Sequence, residues 1–465
     1  MYNVLIRPLK REDALISYQW RNDPDIWKFT GHRPDKIITQ EIELDWIQRV
    51  LNEKDSCRFA ILVDNIYIGN IQITNITLEE EGEYHIFIGE KDYWGKGIAS
   101  LATWQLLRYA KERLNLKRLY LFVNPLNKPA IKVYERCGFI KVSDKIKMVF
   151  DLSRDLRPTV SVFMITYNHE AYIRQAVESI LCQKTNFDFD IVIGEDCSTD
   201  STRSIVMSIA DQYPGKFKLL LHEKNIGAMA NQMAVFSACT GKYIAMCEGD
   251  DYWKDSLKLQ TQITFLDANP EFSLCFHGAM EVYEDQDIPP KPFVNLSTGE
   301  YSGQDILLNW IVPTASVVFR NYPDLRLKYF EKYIFGDTPL FLKVCENGKI
   351  WYMNETMSVY RRHKNGSAAN RKHYKQIINQ LHYINLEFEK KYDKTVKHLI
   401  SKKYFDTFRE YYSLGSIKML KHLFYSLYWD HTLIFTFVKR KVKSLLTNWS
   451  FLISMFPIFL QSLPK

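Results

Sequence analysis

Two stretches carry residue types suited to handling phosphate, by different means. Tyr93-Trp94-Gly95-Lys96-Gly97-Ile98-Ala99 sets glycines where a helix is about to start, and Glu248-Gly249-Asp250-Asp251 sets carboxylates at the end of an apolar run. A glycine turn at a helix N-terminus offers unpaired main-chain N–H groups to a pyrophosphate. A carboxylate cluster repels one unless a divalent cation lies between them. Two active sites are therefore expected on one chain.

The chain has 465 residues, 46% of them hydrophobic, which at about 100–200 residues per domain predicts two or three folded domains. Eight cysteines are scattered without a Cys-x-x-Cys pair, and the N-terminus lacks the basic-then-apolar pattern of a signal peptide. Reduced thiols and a cytoplasmic address are expected. The formal charge of +7 is uneven: from Arg371 to Lys465 there are 17 Lys+Arg against 6 Asp+Glu, an excess of +11, so the preceding 370 residues carry −4. In that basic tail the cations alternate with Phe, Leu, Tyr and Trp, a pattern that suits an anionic membrane surface better than nucleic acid. A solvated helical bundle packed on the core is the alternative. The most apolar run, 451–460, is broken by Pro457 and falls short of the roughly 20 residues a spanning helix needs. If the tail meets the inner face of the cytoplasmic membrane, it lies on it.

Ser153-Arg154-Asp155-Leu156-Arg157-Pro158 is a charged bridge closed by proline, after which Val160-Ser161-Val162-Phe163-Met164-Ile165 restarts as a buried strand. The expected domains are 1–152, 158–370 and a helical basic tail over 371–465. In the first, strands at 59–63 and 67–73 flank a tight turn at Asp64-Asn65, a third strand covers 84–88, and helix 98–113 follows the glycine turn. In the second, strands at 160–166, 189–194, 217–222 and 242–247 alternate with helices near 170–183, 200–212 and 226–239, which predicts a parallel sheet. Its polar residues gather at the carboxyl ends of the strands, where such sheets bind ligands. The fold class is α/β.

The glycine turn, with Val123, Asn127, Ala130, Tyr134, Gly138 and Phe139 behind it, resembles the acetyl-coenzyme A loop and following helix of the GCN5-related N-acetyltransferase (GNAT) family over residues 1–150. The resemblance implies a mixed-sheet domain that uses acetyl-CoA. Main-chain N–H groups of Trp94, Gly95, Lys96, Gly97, Ile98 and Ala99 would hold the pyrophosphate, and the strand end at Ile86 to Ile88 would splay to receive the thioester. Asn127 would bond the pantetheine arm or order a water, and Tyr134 would protonate the departing thiolate. Glu83 and His85, two apart on one strand face, are alternative bases for the amine. Trp20-Arg21-Asn22-Asp23-Pro24 resembles a subgroup that acetylates protein N-termini or amino-sugar nucleotides; Arg21 would there meet a phosphate, or else be a surface arginine.

Thr166-Tyr167-Asn168, Glu195-Asp196-Cys197-Ser198-Thr199-Asp200 and Glu248-Gly249-Asp250-Asp251 resemble, in order and spacing, the GT-A (Rossmann-like) glycosyltransferases of family 2, over about 158–370. The resemblance implies that Thr166, Tyr167, Asn168 and Asp196 line a nucleotide pocket for a UDP- or dTDP-linked sugar. Asp250 and Asp251 would hold Mn²⁺ or Mg²⁺, with His363 completing the shell. Glu248 replaces the usual first acid of the Asp-x-Asp motif. Asp337, in Phe335-Gly336-Asp337-Thr338, would be the base for the acceptor hydroxyl, and Arg361 or Arg362 would neutralise phosphate. Replacing Asp251 by Asn is expected to eliminate sugar transfer and spare acetylation.

Joined, the two resemblances imply a bifunctional enzyme of bacterial surface-glycan biosynthesis. It would N-acetylate an amino sugar and transfer a sugar, with inversion, to a glycan or lipid-linked acceptor. The alternative is a glycosyltransferase whose front domain is non-catalytic or acetylates protein N-termini.

Overall fold

The alternating segments 59–63 and 67–73 form a hairpin whose turn residues Asp64 and Asn65 both have positive φ, 49° and 65°, as a two-residue type I′ turn requires. The computed structural model describes residues 1–29, 36–142, 147–154, 156–325, 327–364, 366, 374–413 and 419–430. They fall into two units: Met1–Gly303, Trp310–Leu325 and Leu340–Gly366 form the first, and Gln304–Asn309, Arg326–Pro339 and Ser367–Lys465 form the second.

The first unit opens with strand Val4–Pro8 (β1) and helices Ala14–Asn22 (α1), Pro24–Trp27 (α2) and Gln40–Val50 (α3). Strands Cys57–Val63 (β2), Ile66–Thr74 (β3) and Glu81–Ile88 (β4) follow, then helix Ile98–Glu112 (α4), strand Arg118–Phe122 (β5), helix Lys128–Arg136 (α5) and strands Ile140–Lys141 (β6) and Lys147–Asp151 (β7). They make a seven-stranded sheet in the order β1-β2-β3-β4-β5-β7-β6, in which only β4 and β5 run parallel. That pairing ends at Glu83↔Tyr120. Beyond it β4 stays with β3 as far as Ile88 while β5 stays with β7 as far as Phe122, so the two strands part and leave a wedge-shaped opening at their ends.

The second sheet comprises strands Val160–Thr166 (β8), Phe189–Glu195 (β9), Phe217–Leu221 (β10), Tyr243–Met246 (β11), Tyr252–Trp253 (β12), Phe272–Tyr283 (β13), Lys291–Pro292 (β14), Gly299–Tyr301 (β15), Val318–Arg320 (β16) and Lys349–Arg362 (β17). Helices Ile173–Leu181 (α6), Thr202–Gln212 (α7), Ala228–Ala238 (α8) and Lys258–Ala268 (α9) lie between them, with Gly303–Asn309 (α10) and Asp337–Val344 (α11) later in the chain. The order is β10-β9-β8-β11-β16-β13-β17-β12. The expected four-stranded parallel half is present, and β13 and β17 add a second, long parallel pair. Because β17 also pairs with β12, residues 361–363 arrive beside the carboxylate loop that follows β11.

The two sheets share buried contacts rather than merely a linker. One apolar cluster runs from Leu5, Ala60 and Leu62 to Val177 and Ile180. The turn at Gly215 (φ 70°) is pressed against α4 so closely that a Cβ there would stand 1.9 Å from the Gln105 carbonyl oxygen. Arg108 of α4, 3% exposed, donates through Nε to the Gly215 carbonyl (2.7 Å) and pairs with Asp188.

In the second unit, helices Tyr374–Glu387 (α12), Asp393–Ser413 (α13) and Met419–Trp429 (α14) bury Ile384, Phe388, Val396 and Ile400. Glu387 accepts from the N–H groups of Lys328 and Tyr329 (2.9 Å each), and Gln380 from that of Ile334 (2.9 Å). The described tail thus has a core of its own. No helix among the described residues is long and apolar enough to cross a membrane, and the remainder of the tail, including 431–465, lies outside the described residues.

Candidate active sites

In the front site the glycines satisfy backbone geometry. Gly95 and Gly97 have φ of 73° and 80° with open space where a Cβ would stand, so conformation rather than crowding selects glycine. The N–H groups of Gly95 through Ala99 donate to no main-chain carbonyl among the described residues, and α4 adds its positive dipole end. Trp94 reaches back, its indole N–H donating to the Ile88 carbonyl (2.9 Å), which ties the turn to the end of β4 beside the opening. Lys96 lies over the rings of Tyr2 and Tyr93, 5.6 Å from each.

Asn127 caps α5, its Oδ1 accepting from Ala130 N–H (3.2 Å). Tyr134 stands in that helix with its ring against Tyr84 and Phe139, and burial pushes its phenol up to about 12. It therefore stays protonated at neutral pH and has a proton to donate. Glu83 and His85 share a face of β4 as expected, 3.6 Å apart between Oε1 and Nε2. Asn75 donates to Glu83 (2.8 Å), and Thr74 Oγ1 lies 2.9 Å from His85 Nε2. Burial lowers the His85 pKa more than Glu83 raises it, so the ring is neutral at pH 7 and able to accept a proton. Arg21 is not a bare surface cation: it stacks between Trp27 (5.1 Å) and Trp46 (4.7 Å) and lies 3.5 Å from buried Glu43.

The middle site forms at the carboxyl ends of β8, β9 and β11. Thr166, 2% exposed, lies 3.3 Å through Oγ1 from His169 Nδ1. Tyr167 is 42% exposed, and Asn168, in the left-handed region at φ 55°, accepts from Thr199 N–H (2.8 Å). Asp196 accepts from the N–H groups of Ile226 (2.7 Å) and Gly227 (3.0 Å). It thereby anchors the loop that enters α8, with lone pairs still available on each oxygen. Glu248 is half-buried beside these groups.

Asp250, Asp251 and His363 are not equivalent. His363 Nε2 lies 3.1 Å from Asp250 Oδ2 and His169 Nε2 lies 3.8 Å from the same oxygen. Burial opposes ionisation of Asp250, but the two histidines hold its pKa below the ordinary value. Asp251 is turned inward: it is 1% exposed, its Oδ1 accepts from Arg361 N–H (2.9 Å), and its Oδ2 is buried without a partner. Burial, then the charges of Asp250 and Glu248, push its pKa well above the carboxylate range. Asp250 Oδ2 and His363 Nε2 converge, which fits a divalent cation that takes its other ligands from a diphosphate, while Asp251 faces inward behind them. Among the described residues no three His, Cys, Asp or Glu side chains converge as a cage.

Arg361 is also placed differently from expectation. Its guanidinium is committed to Glu284 (Nε, 2.9 Å), the Asp250 carbonyl (Nη1, 2.7 Å) and Gln175, so it braces the carboxylate loop rather than waiting for a phosphate. Arg362 points to the other face of β17 and pairs with Glu281 (2.5 Å). Asp337 opens α11 within the second unit, its Oδ1 accepting from Thr338 N–H (2.7 Å). His169 was missed by sequence reasoning, although it directly follows Asn168 and its ring is one of the groups that compel glycine at position 249.

A wedge-ended sheet with a glycine turn is joined, within one unit, to a sheet with a parallel half and acids at its carboxyl edge. Residues 3–140 match the Acetyltransferase (GNAT) domain family and residues 161–322 match Glycosyl transferase family 2. The two family matches fall on separate, consecutive parts of one chain.

Among curated proteins, the chain is 37% identical over 220 residues to Rv1520, an uncharacterized protein of Mycobacterium tuberculosis, covering 44% of this chain and 60% of that protein. It is 27% identical over 217 residues to TuaG of Bacillus subtilis, provisionally named a teichuronic acid biosynthesis glycosyltransferase, covering 46% of this chain and 83% of TuaG. It is 24% identical over 181 residues to spermidine N(1)-acetyltransferase of Escherichia coli, covering 39% of this chain and 95% of that enzyme. The chain therefore spans 60% of the length of the first curated relatives it matches.

Among solved structures, it is similar to spermidine N-acetyltransferase from Vibrio cholerae in complex with CoA and spermine. That likeness has 22% identity and a TM-score of 0.30, over 32% of this chain and 96% of that one. Similarity to S. aureus TarS in complex with UDP has 17% identity and a TM-score of 0.44, over 58% of this chain and 81% of that one.

Proposed function

We propose that this protein is a bifunctional enzyme of surface-glycan synthesis, N-acetylating an amino sugar from acetyl-CoA and transferring a sugar from a nucleotide-linked donor to a glycan or lipid-linked acceptor. The observation that carries the reading is the pair of dissimilar phosphate sites. One is the row of main-chain N–H groups from Gly95 to Ala99 beside the parting ends of β4 and β5. The other is Asp250 Oδ2 with His363 Nε2 at the carboxyl edge of the second sheet.

In the front site neutral His85, or Glu83 beside it, takes the proton from the attacking amine, and Tyr134 supplies one to the leaving thiolate. The Gly95–Ala99 amides hold the diphosphate without needing a counter-ion. In the middle site Thr166, Tyr167, Asn168 and Asp196 seat the nucleoside. Mn²⁺ or Mg²⁺ held by Asp250 and His363 would supply Lewis acidity for a diphosphate leaving group. Arg361 keeps the Asp250 main chain fixed.

Likeness to a spermidine acetyltransferase favours a second reading of the front site, in which the amine is a polyamine rather than an amino sugar. Mass spectrometry of the purified chain with acetyl-CoA and a panel of amino-sugar nucleotides, spermidine and N-terminal peptides, with and without Mn²⁺, tests both readings. Acetylation of an amino-sugar nucleotide is expected. Acetylation of spermidine alone selects the second reading, and no acetyl transfer to any amine rejects both.

A further inference from the structure

Phe293, Trp310 and Tyr360 form an aromatic triad in the first unit. Ring centroids are 5.3 Å apart for Phe293–Trp310, 5.2 Å for Phe293–Tyr360 and 6.3 Å for Trp310–Tyr360, with interplanar angles of 68°, 79° and 88°. A buried core readily collects rings in such edge-to-face contacts, but Trp310 is 37% exposed. Its main chain has φ 45°, in the left-handed region that costs a bulky residue about 1–2 kcal/mol. A conformation of that kind persists where the surroundings impose it.

The triad has a polar rim. The Arg362 guanidinium lies 5.0 Å from the Tyr360 ring centroid and donates through Nε to Glu281 (2.5 Å), while Lys291 Nζ lies 3.3 Å from the other Glu281 oxygen. It also adjoins the carboxylate loop, since Tyr360 immediately precedes Arg361, whose N–H holds Asp251 and whose guanidinium holds the Asp250 carbonyl. Burial, followed by the charge of Asp251 and others in that loop, pushes the Tyr360 phenol up.

The partly exposed Trp310 ring, backed edge-on by the half-buried Phe293 and Tyr360 rings with a planar cation and a carboxylate nearby, is complementary to a pyranose, which offers a C–H face for stacking and a rim of hydroxyls for paired hydrogen bonds. We propose that Phe293, Trp310 and Tyr360, rimmed by Arg362, Glu281 and Lys291, form the subsite that holds a sugar ring of the acceptor glycan. The inference rests on the sugar-transfer reading of the middle site, because an acceptor must lie next to the donor's reacting carbon.

The test is saturation-transfer NMR on the full chain with chitotriose, maltotriose and cellotriose as probes, and with UDP in a separate arm. Wild type and Trp310→Phe are expected to saturate the ring protons of at least one trisaccharide. Trp310→Ala, and Trp310→Leu, which keeps apolar bulk but no π face, should weaken that binding about tenfold while still binding UDP. No saturation of any trisaccharide in wild type, or undiminished binding in the Leu variant, overturns the subsite. Loss of UDP binding in the Leu variant overturns it too, assigning the triad to the nucleotide. Failure of UDP to bind any of the proteins, wild type included, instead counts against the sugar-transfer reading.

Discussion

Gly249 sits where the carboxylate loop passes closest to β8. A Cβ there would stand 2.6 Å from Thr166 Oγ1 and 2.9 Å from His169 Nδ1, so Gly249→Ala must displace the residue next to it, Asp250. The variant is expected to stay folded, keep acetyl-CoA turnover and lose most divalent-cation affinity, measured by calorimetry with Mn²⁺. Asp250→Asn should reduce sugar transfer at least about a hundredfold, because it removes charge where a diphosphate needs support. Asp251→Asn, expected from the sequence to be equally damaging, is now expected to retain transfer. An inward-facing carboxyl is replaced by an amide that keeps the acceptor for Arg361 N–H, and side-by-side rates of the two variants check this.

In the front site, His85→Gln should lower kcat/KM for acetylation about a hundredfold. If His85 is the base, wild type loses rate as pH falls through the lowered His85 pKa, below the ordinary value of about 6.5, and the variant lacks that limb. The acids were legible in the sequence because their types and spacing are unusual. Which way each one faces was not, since Asp250 and Asp251 differ only in the side of the loop from which they project.

Among the elements, the glycine turn, α4 and the four strands up to β11 follow from alternation and helix periodicity. β13 and β17 were not read, because their pairing joins segments far apart in sequence and includes register shifts near Gly278, which blur a two-residue period. Gly97→Ala places a side chain at φ 80° in open space. The expected result is a local cost of about 1 kcal/mol and a raised KM for acetyl-CoA, with little change in sugar transfer.

Asp190 on β9 is 7% exposed, and burial, only partly offset by Arg108, pushes its pKa up to about 6. With an unfolded value of about 3.9, the native chain keeps a proton there that the unfolded chain has shed, so this group's contribution to stability falls as pH rises from about 4 to about 6. Asp190→Asn should remove that slope and raise stability near neutral pH by on the order of 1–3 kcal/mol. Urea denaturation on either side of the window measures it.

For the whole molecule, the two chemistries are expected to separate by reagent and to merge on heating. EDTA should stop sugar transfer and leave acetylation intact, since Asp250 and His363 in the middle site suit a cation whereas the Gly95–Ala99 amides take an anion directly. CoA bound at the front turn should raise the unfolding temperature of the middle domain as well, seen as one calorimetric transition shifting together, because a ligand that binds only the native state stabilises whatever unfolds with its site. Two independent transitions, with only one responding, would contradict this. Two sheets were legible on either side of the bridge at 153–158, but the core they share was not, because residues such as Leu5 and Val177 carry no sign of which neighbour they will meet.

The contact of Arg108 and the Gly215 turn bears on how such a chain can evolve. A stop codon after the bridge would remove the apolar residues with which Leu5, Ala60 and Leu62 share a cluster, leaving a front remnant prone to aggregate. Selection would then see the two sheets as a single heritable unit, gained together and difficult to lose one at a time.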